Sequence, residues 1–175
     1  MIEGFAVWLT GLPCAGKTTL AEALAQELVK RGSSPELLDG DLLRKTISAD
    51  LGYTDKDRRT HVTRVAERTL TVVEAGQPAI VAVISPHRDI REEAKKKIQP
   101  FVEVYVRCPL KVCETRDVKS LYRLARSGTI QNFTGISSPY EPPKNPSVVV
   151  DTDIMDVPSC VGKIVGYLER NRIIG

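Results

Sequence analysis

The residues best suited to chemistry in this chain come early, in the stretch GLPCAGKTT from Gly11 to Thr19. Gly11 and Gly16 stand five apart and are followed by Lys17, Thr18 and Thr19, which fits a Walker A loop at every fixed position. Without a Cβ at Gly11 and Gly16 the backbone can curl and aim successive N–H groups inward. Those groups, with the positive end of a following helix, make an anion site. The spacing predicts that Gly11, Leu12, Pro13, Cys14, Ala15, Gly16, Lys17, Thr18 and Thr19 cradle a nucleoside triphosphate. Lys17 would reach its β- and γ-phosphates and Thr18 would take one Mg²⁺ position. Cys14 occupies a variable position and reads as a small filler.

A phosphoryl group also needs an acceptor. Asp39-Gly40-Asp41 sets two carboxylates across a permissive glycine, one to orient or deprotonate a hydroxyl and one to hold metal. The same triplet could be an Asp-Gly turn with Asp41 as a helix N-cap. Arg58, His61, Arg64 and Arg68 recur at helical spacing opposite Val62, Val65, Ala66, Thr69 and Val73. With Arg44 they offer a cradle for a second anion, Arg68 reading as solvated beside Glu67 and Glu74. Residues 127–147 hold four prolines and no periodicity, the mark of a lid or binding loop. Arg123 and Arg126 precede that stretch, where an arginine could neutralise transferring phosphate, and Phe133 within it could stack on a base. Ser85 falls at the end of an apolar run, either on the ligand edge or as a strand-ending serine before Pro86.

The elements that must position these groups alternate strand and helix. Phe5–Leu9, Pro35–Leu38, Ala79–Ile84, Phe101–Val106 and Ser147–Val150 are short apolar runs that read as strands. Leu20, Leu24 and Leu28 mark one face of the helix after the loop. Further helices are expected near 42–50, 55–75, 89–98 and 156–172, with helical stretches near 110–126. Such alternation predicts a single α/β domain, a parallel sheet with helices on both faces and a lid over 127–147. Ligands then lie at the carboxyl ends of the strands, just after residues 10, 38, 84, 106 and 150.

Composition narrows the partners. The 175 residues suit one domain, and a net charge of +3 argues for neither a nucleic-acid nor a membrane partner. No apolar run approaches the roughly 20 residues of a membrane helix. The first strand begins too early to leave room for a signal peptide, and the four cysteines match no zinc spacing. A cytoplasmic protein with four reduced thiols is expected.

Over nearly its whole length the chain resembles the adenylylsulfate (APS) kinases of sulfate assimilation. The resemblance rests on Trp8-Leu-Thr-Gly-Leu12 entering the loop, Leu38-Asp-Gly-Asp41 with Arg44, and Leu51-Gly-Tyr53 before Asp57-Arg58. It continues through Ile84-Ser-Pro86, the run from Val112 to Lys119 with Leu121-Tyr122, and Phe133-Thr-Gly-Ile136 leading to Pro139-Tyr-Glu141. It implies ATP- and Mg²⁺-dependent phosphorylation of the APS ribose 3′-hydroxyl, giving 3′-phosphoadenylylsulfate (PAPS). It also implies a homodimer and a functional link to ATP sulfurylase. Carried over by position, Lys17, Asp39, Asp41 and Ser85 are catalytic, and Thr18 and Asp39 hold the metal. Arg126 joins the loop at ATP, while Asp41, Arg44, Tyr53, Arg58, His61, Ser85, Lys119 and Phe133 meet APS, with Tyr53 and Phe133 sandwiching its adenine. In this family the serine at the position of Ser85 has been described as a phosphoserine intermediate; it could equally position substrate.

The chain departs from the family at Pro13-Cys14 for Ser-Gly, Tyr53 for phenylalanine, His61 for asparagine, Thr63 for arginine and Ser137-Ser138 for an acidic pair. Two rivals stand beside this reading. One is a P-loop kinase for another small molecule, such as a sugar or a modified cytidine nucleotide; the other is a nucleotide-binding module without transfer activity. His61 is expected to face the substrate anion and to charge near pH 6.5, with a solvated place on the outer helix stripe as the alternative.

Overall fold

The computed structural model describes residues 4–175. Five strands form one all-parallel sheet in the order β2-β3-β1-β4-β5. They are β1 (Ala6–Thr10), β2 (Glu36–Asp39), β3 (Ala79–Ala82), β4 (Phe101–Arg107) and β5 (Val148–Asp151). β1 is central and buried along its whole length. Its side chains alternate between two cores. Val7 and Leu9 join Leu20, Leu24 and Leu28 of α1 (Lys17–Lys30) and Ile164 and Leu168 of α7 (Val157–Arg170). Ala6 and Trp8 face Val62, Val65 and Val72 of α3 (Asp55–Glu74) and Ala94 of α4 (Arg88–Lys97). Helices therefore cover both faces, and exposed backbone at the carboxyl edge is left to ligands.

One expected element differs in form, and one helical stretch resolves into two helices. The helix expected near 42–50 is a short α2 (Gly40–Arg44) followed by turns to residue 50. Asp39, not Asp41, is its N-cap: Asp39 Oδ1 accepts from the N–H groups of Asp41 at 2.9 Å and Leu42 at 3.2 Å. The stretch 110–126 splits into α5 (Leu110–Arg116) and α6 (Leu121–Arg126), because Asp117 accepts from the N–H groups of Tyr122 and Arg123 and so starts a second helix. α3 matches its expected bounds within a residue and carries a capping box, Thr54 with Asp57.

The segment 127–147 is not uniformly loose. Residues 127–129 and 131–132 are exposed, but Phe133 and Thr134 are buried, Phe133 packing edge-on against Tyr122 at 5.0 Å. All four cysteines are free, three of them buried. Among the described residues no helix is long and apolar enough to cross a membrane.

Candidate active site

The carboxyl edge of the sheet opens into a cavity of about 1050 Å³. One end is the 11–19 loop. Gly11 is pressed so close to β4 that a Cβ there would lie 2.4 Å from the Val106 carbonyl oxygen. Gly16 sits at φ 102, a left-handed conformation that favours glycine, and leads directly into α1. Cys14 takes a similar left-handed φ of 60 although it carries a side chain. Side chains hold the loop's carbonyls. Lys17 Nζ donates to Gly11 and Leu12 (3.0 and 2.7 Å), Tyr122 Oη to Pro13 (2.8 Å) and Thr152 Oγ1 to Ala15 (2.6 Å). With its oxygens engaged this way, the loop can present N–H groups to an anion.

Burial lowers the Lys17 pKa to about 8, against the pull of Asp41 and Asp39. An approaching phosphate would push that pKa back up, so the ammonium is poised to exchange two carbonyls for phosphate oxygens. Thr18 Oγ1 donates to Asp39 Oδ2 at 2.7 Å, joining the helix start to the end of β2. Asp41, the second residue of α2, points its largely exposed carboxylate at Lys119 Nζ 3.0 Å away across the mouth.

The other end of the cavity collects the expected acceptor residues. Arg44 donates to the Gly52 carbonyl at 2.6 Å and lies 4.9 Å from the centre of the exposed Tyr53 ring. Arg58 reaches from α3 to the Tyr53 carbonyl at 3.0 Å, and to Thr134 Oγ1 and the Asn132 carbonyl. It thereby ties the lid to α3. Tyr53 and Phe133 both line the cavity, as do Arg44, Arg58, His61 and Lys119.

Three expectations need correction. His61 is not on a solvated stripe; it is 4% exposed, with Nδ1 2.9 Å from the buried Ser48 hydroxyl. Burial, and then the Arg44 charge, lower its pKa to about 4, so the ring is neutral where it was expected to titrate. Ser85 lies in the cavity wall, but its hydroxyl is turned into the protein, accepting from Trp8 Nε1 and donating to Thr10 Oγ1 (both 3.1 Å). In this geometry the Ser85 hydroxyl is engaged by Trp8 and Thr10 and is not free in the cavity. Arg126 turns back along α6 to Glu114 of α5 and does not line the cavity.

Arg116 and Thr152 take the place expected for Arg126. Arg116 donates to the Thr152 carbonyl at 2.5 Å and to Ala15 at 3.4 Å, and both residues line the cavity. Each had a signal: Thr152 directly follows β5 at the ligand edge, and Arg116 lies within the Val112–Lys119 run.

A Walker A loop at the end of a central parallel strand, facing paired carboxylates across one cavity, defines a P-loop phosphotransferase for small molecules. The match to the adenylylsulphate kinase family model spans residues 3–151. The chain is 47% identical over 174 residues to the adenylyl-sulfate kinase of Microcystis aeruginosa, and 46% identical over 168 residues to that of Gloeothece citriformis. Each alignment covers 96% of this chain and 96% of the relative. Its fold is similar to the Mycobacterium tuberculosis APS kinase CysC solved with AMPPNP and APS. That match has a TM-score of 0.92 and 36% identity, and covers 97% of this chain and 99% of that one. The chain belongs to the adenylylsulfate kinase family.

Proposed function

We propose that this chain transfers the γ-phosphoryl group of ATP to the ribose 3′-hydroxyl of APS, giving PAPS and ADP. The observation that carries this reading is one cavity with a Walker A loop at one end and Arg44, Arg58, Tyr53 and Phe133 at the other, with Asp39 and Asp41 between. The Mycobacterium tuberculosis relative, solved with an ATP analogue and APS, supports it.

Each residue then has a task. The 11–19 loop and Lys17 hold the β- and γ-phosphates, and Arg116 braces the loop from behind. The 3′-oxygen forms a bond to the γ-phosphorus, the bond from that phosphorus to the β–γ bridging oxygen breaks, and the 3′-proton passes to Asp41. Lys119, exposed beside Asp41, can swing to the transferring phosphate as Asp41 engages the hydroxyl. Arg44 and Arg58 hold the acceptor's phosphosulfate, and Tyr53 and Phe133 flank its base. His61, neutral, offers a hydrogen bond rather than a charge.

Magnesium fits this site. Thr18 Oγ1 and Asp39 Oδ2 are hard oxygens 2.7 Å apart at the loop, with the other Asp39 oxygen spent on the α2 cap. Among the described residues no cluster of three or more His, Cys, Asp or Glu could hold a metal, so phosphate oxygens and water would complete the shell. Bound there, Mg²⁺ would neutralise charge on the phosphates. The same reading carries a homodimer, a functional partnership with ATP sulfurylase and a cytoplasmic location; sedimentation of the purified protein tests the first.

A coupled ADP-release assay tests the function. ADP is expected with ATP, Mg²⁺ and APS together. Release with a sugar or a cytidine nucleotide but not with APS would favour the kinase rival, and nucleotide binding without release under any condition would favour the non-catalytic one.

A further inference from the structure

The segment 127–147 is joined to the body at two places of different character. Arg58 holds Asn132 and Thr134 from the cavity side. Residues 140–142 are held from below by buried polar groups that the phosphoryl-transfer scheme does not use. Arg91 of α4 is 1% exposed and spends its donors three ways: Nε to Glu103 Oε1 at 3.0 Å, Nη1 to the Ser85 carbonyl at 2.6 Å, and Nη2 to the Glu141 carbonyl at 2.6 Å. Its guanidinium also lies 5.7 Å from the centre of the Tyr140 ring, which stacks on Tyr105. Glu141 adds its own N–H to the Pro86 carbonyl at 2.9 Å, and its carboxylate accepts from the Arg88 N–H at 2.8 Å.

Tyr140 carries this anchor to the nucleotide loop. Its hydroxyl is 3.0 Å from Thr10 Oγ1, and Thr10 is the last residue of β1, directly before Gly11. The proton order follows from donor counts. Thr10 spends its only hydroxyl proton on the Ile84 carbonyl at 2.6 Å, so Tyr140 Oη must donate to it; Ser85 Oγ donates to it at 3.1 Å, with the Val83 carbonyl farther off at 3.4 Å. Trp8 Nε1 in turn donates to Ser85. The chain Trp8–Ser85–Thr10 thus fixes the Tyr140 hydroxyl as a donor, and it runs through Ser85 at a left-handed φ of 43.

We propose that Tyr140 and Arg91 are positioning residues that lock the root of the lid to the end of β1, so that lid position and nucleotide-loop position are set together. A shift at Thr10 has little room to dissipate, because Gly11 is already in close contact with the Val106 carbonyl. The lid then moves about a fixed root at 140–142, and the part free to open is 127–138. The kinetic side of this inference rests on the kinase reading above; the structural side does not.

The test is Tyr140→Phe, which keeps the ring against Tyr105 and Arg91 and deletes the single hydroxyl. Tyr105→Phe is the control, deleting a hydroxyl from the stacking partner. Amide hydrogen exchange and steady-state kinetics are measured on both and on the wild type. For Tyr140→Phe, exchange should rise about fivefold in both 11–16 and 130–138, with kcat lower by a similar factor, the size expected for one net hydrogen bond. Tyr105→Phe should leave all three unchanged. A merely structural role would lower the melting temperature and raise exchange only at 139–142, with kcat as in wild type, and that result overturns the proposal. Should Tyr140→Phe not fold, Glu103→Gln loosens Arg91 while sparing its two carbonyl bonds, and the same readouts apply. If no protein releases ADP with APS, the substrate reading falls, while the exchange pattern still decides the lock.

Discussion

The two ends of the cavity are built by different means. The donor end is almost entirely local: the nine residues from Gly11 to Thr19 turn at Gly16 into α1, and the neighbours that hold them grip backbone carbonyls at Pro13 and Ala15. The acceptor end is assembled from α2, the turn before α3, α3 itself and the lid, through side chains such as Arg44 and Arg58. A backbone anion site tolerates change in its surroundings because its donors are part of the chain. A side-chain site depends on every rotamer and on who packs behind it. Losses at the donor end should therefore fall on the chemical step, and losses at the acceptor end on affinity for one substrate.

The sharpest break in that contrast is Lys17→Ala. Lys17 contacts loop carbonyls rather than the apolar core, so the fold should survive while turnover falls by about 10³-fold, the scale of removing a donor aimed at developing charge. Activity and circular dichroism of the same preparation check it; folded protein with near-normal turnover would end the Walker A assignment. Asp41→Asn comes next. Asp41 is not the cap of α2, so its loss should not unravel the helix, and kcat should drop by about 10²-fold with little change in the KM for APS. An unchanged kcat would pass the role to Asp39.

At the acceptor end the expected effects are smaller and of another kind. Tyr53 is 65% exposed, so Tyr53→Ala should leave the melting temperature alone and raise the KM for APS about tenfold, as expected for one lost stacking face, with the KM for ATP unaffected. Equal rises for both substrates would mean that the two ends are not separable. The smallest effect concerns His61. With its pKa lowered to about 4, His61 stays neutral from pH 8 to pH 6, and the KM for APS should not improve over that span through this residue. The pH profiles of wild type and His61→Asn should superimpose there. Stability should show the group instead. The unfolded chain takes up this proton near pH 6.5 and the native one only near about 4, so native stability falls as pH drops through that window. Chemical denaturation of both proteins at pH 7 and pH 5 reads it; wild type should lose more than His61→Asn, and a loss no steeper than the variant's would contradict the neutral ring.

Much of the donor end was legible in the residues. Spacing names the loop because glycine positions and a lysine at a helix start act over a few residues, and the alternation of strand and helix places Asp39 and Thr152 at the ligand edge. The acceptor end was legible as a set of residue types but not as a geometry. Arg126 and Arg116 are both arginines beside the lid, and only the break between α5 and α6 decides that one turns to Glu114 and the other to the loop. The lid's proline-rich sequence suggests loose packing, yet Tyr140 and Glu141 are held by Arg91, fifty residues away in sequence.

By itself the sequence determined the parallel α/β arrangement, the phosphate loop and the carboxylates facing it. Each depends on short-range backbone conformation or on which face of an element is apolar, and both are written in local spacing. Only the tertiary structure decided the state of His61, the direction of the Ser85 hydroxyl and the anchoring of the lid. Those depend on desolvation and on hydrogen-bond partners such as Ser48, Trp8 and Arg91, which the chain brings together only after the sheet has formed. Helical periodicity places a histidine on a face; the protein packed against that face determines whether it can carry a charge.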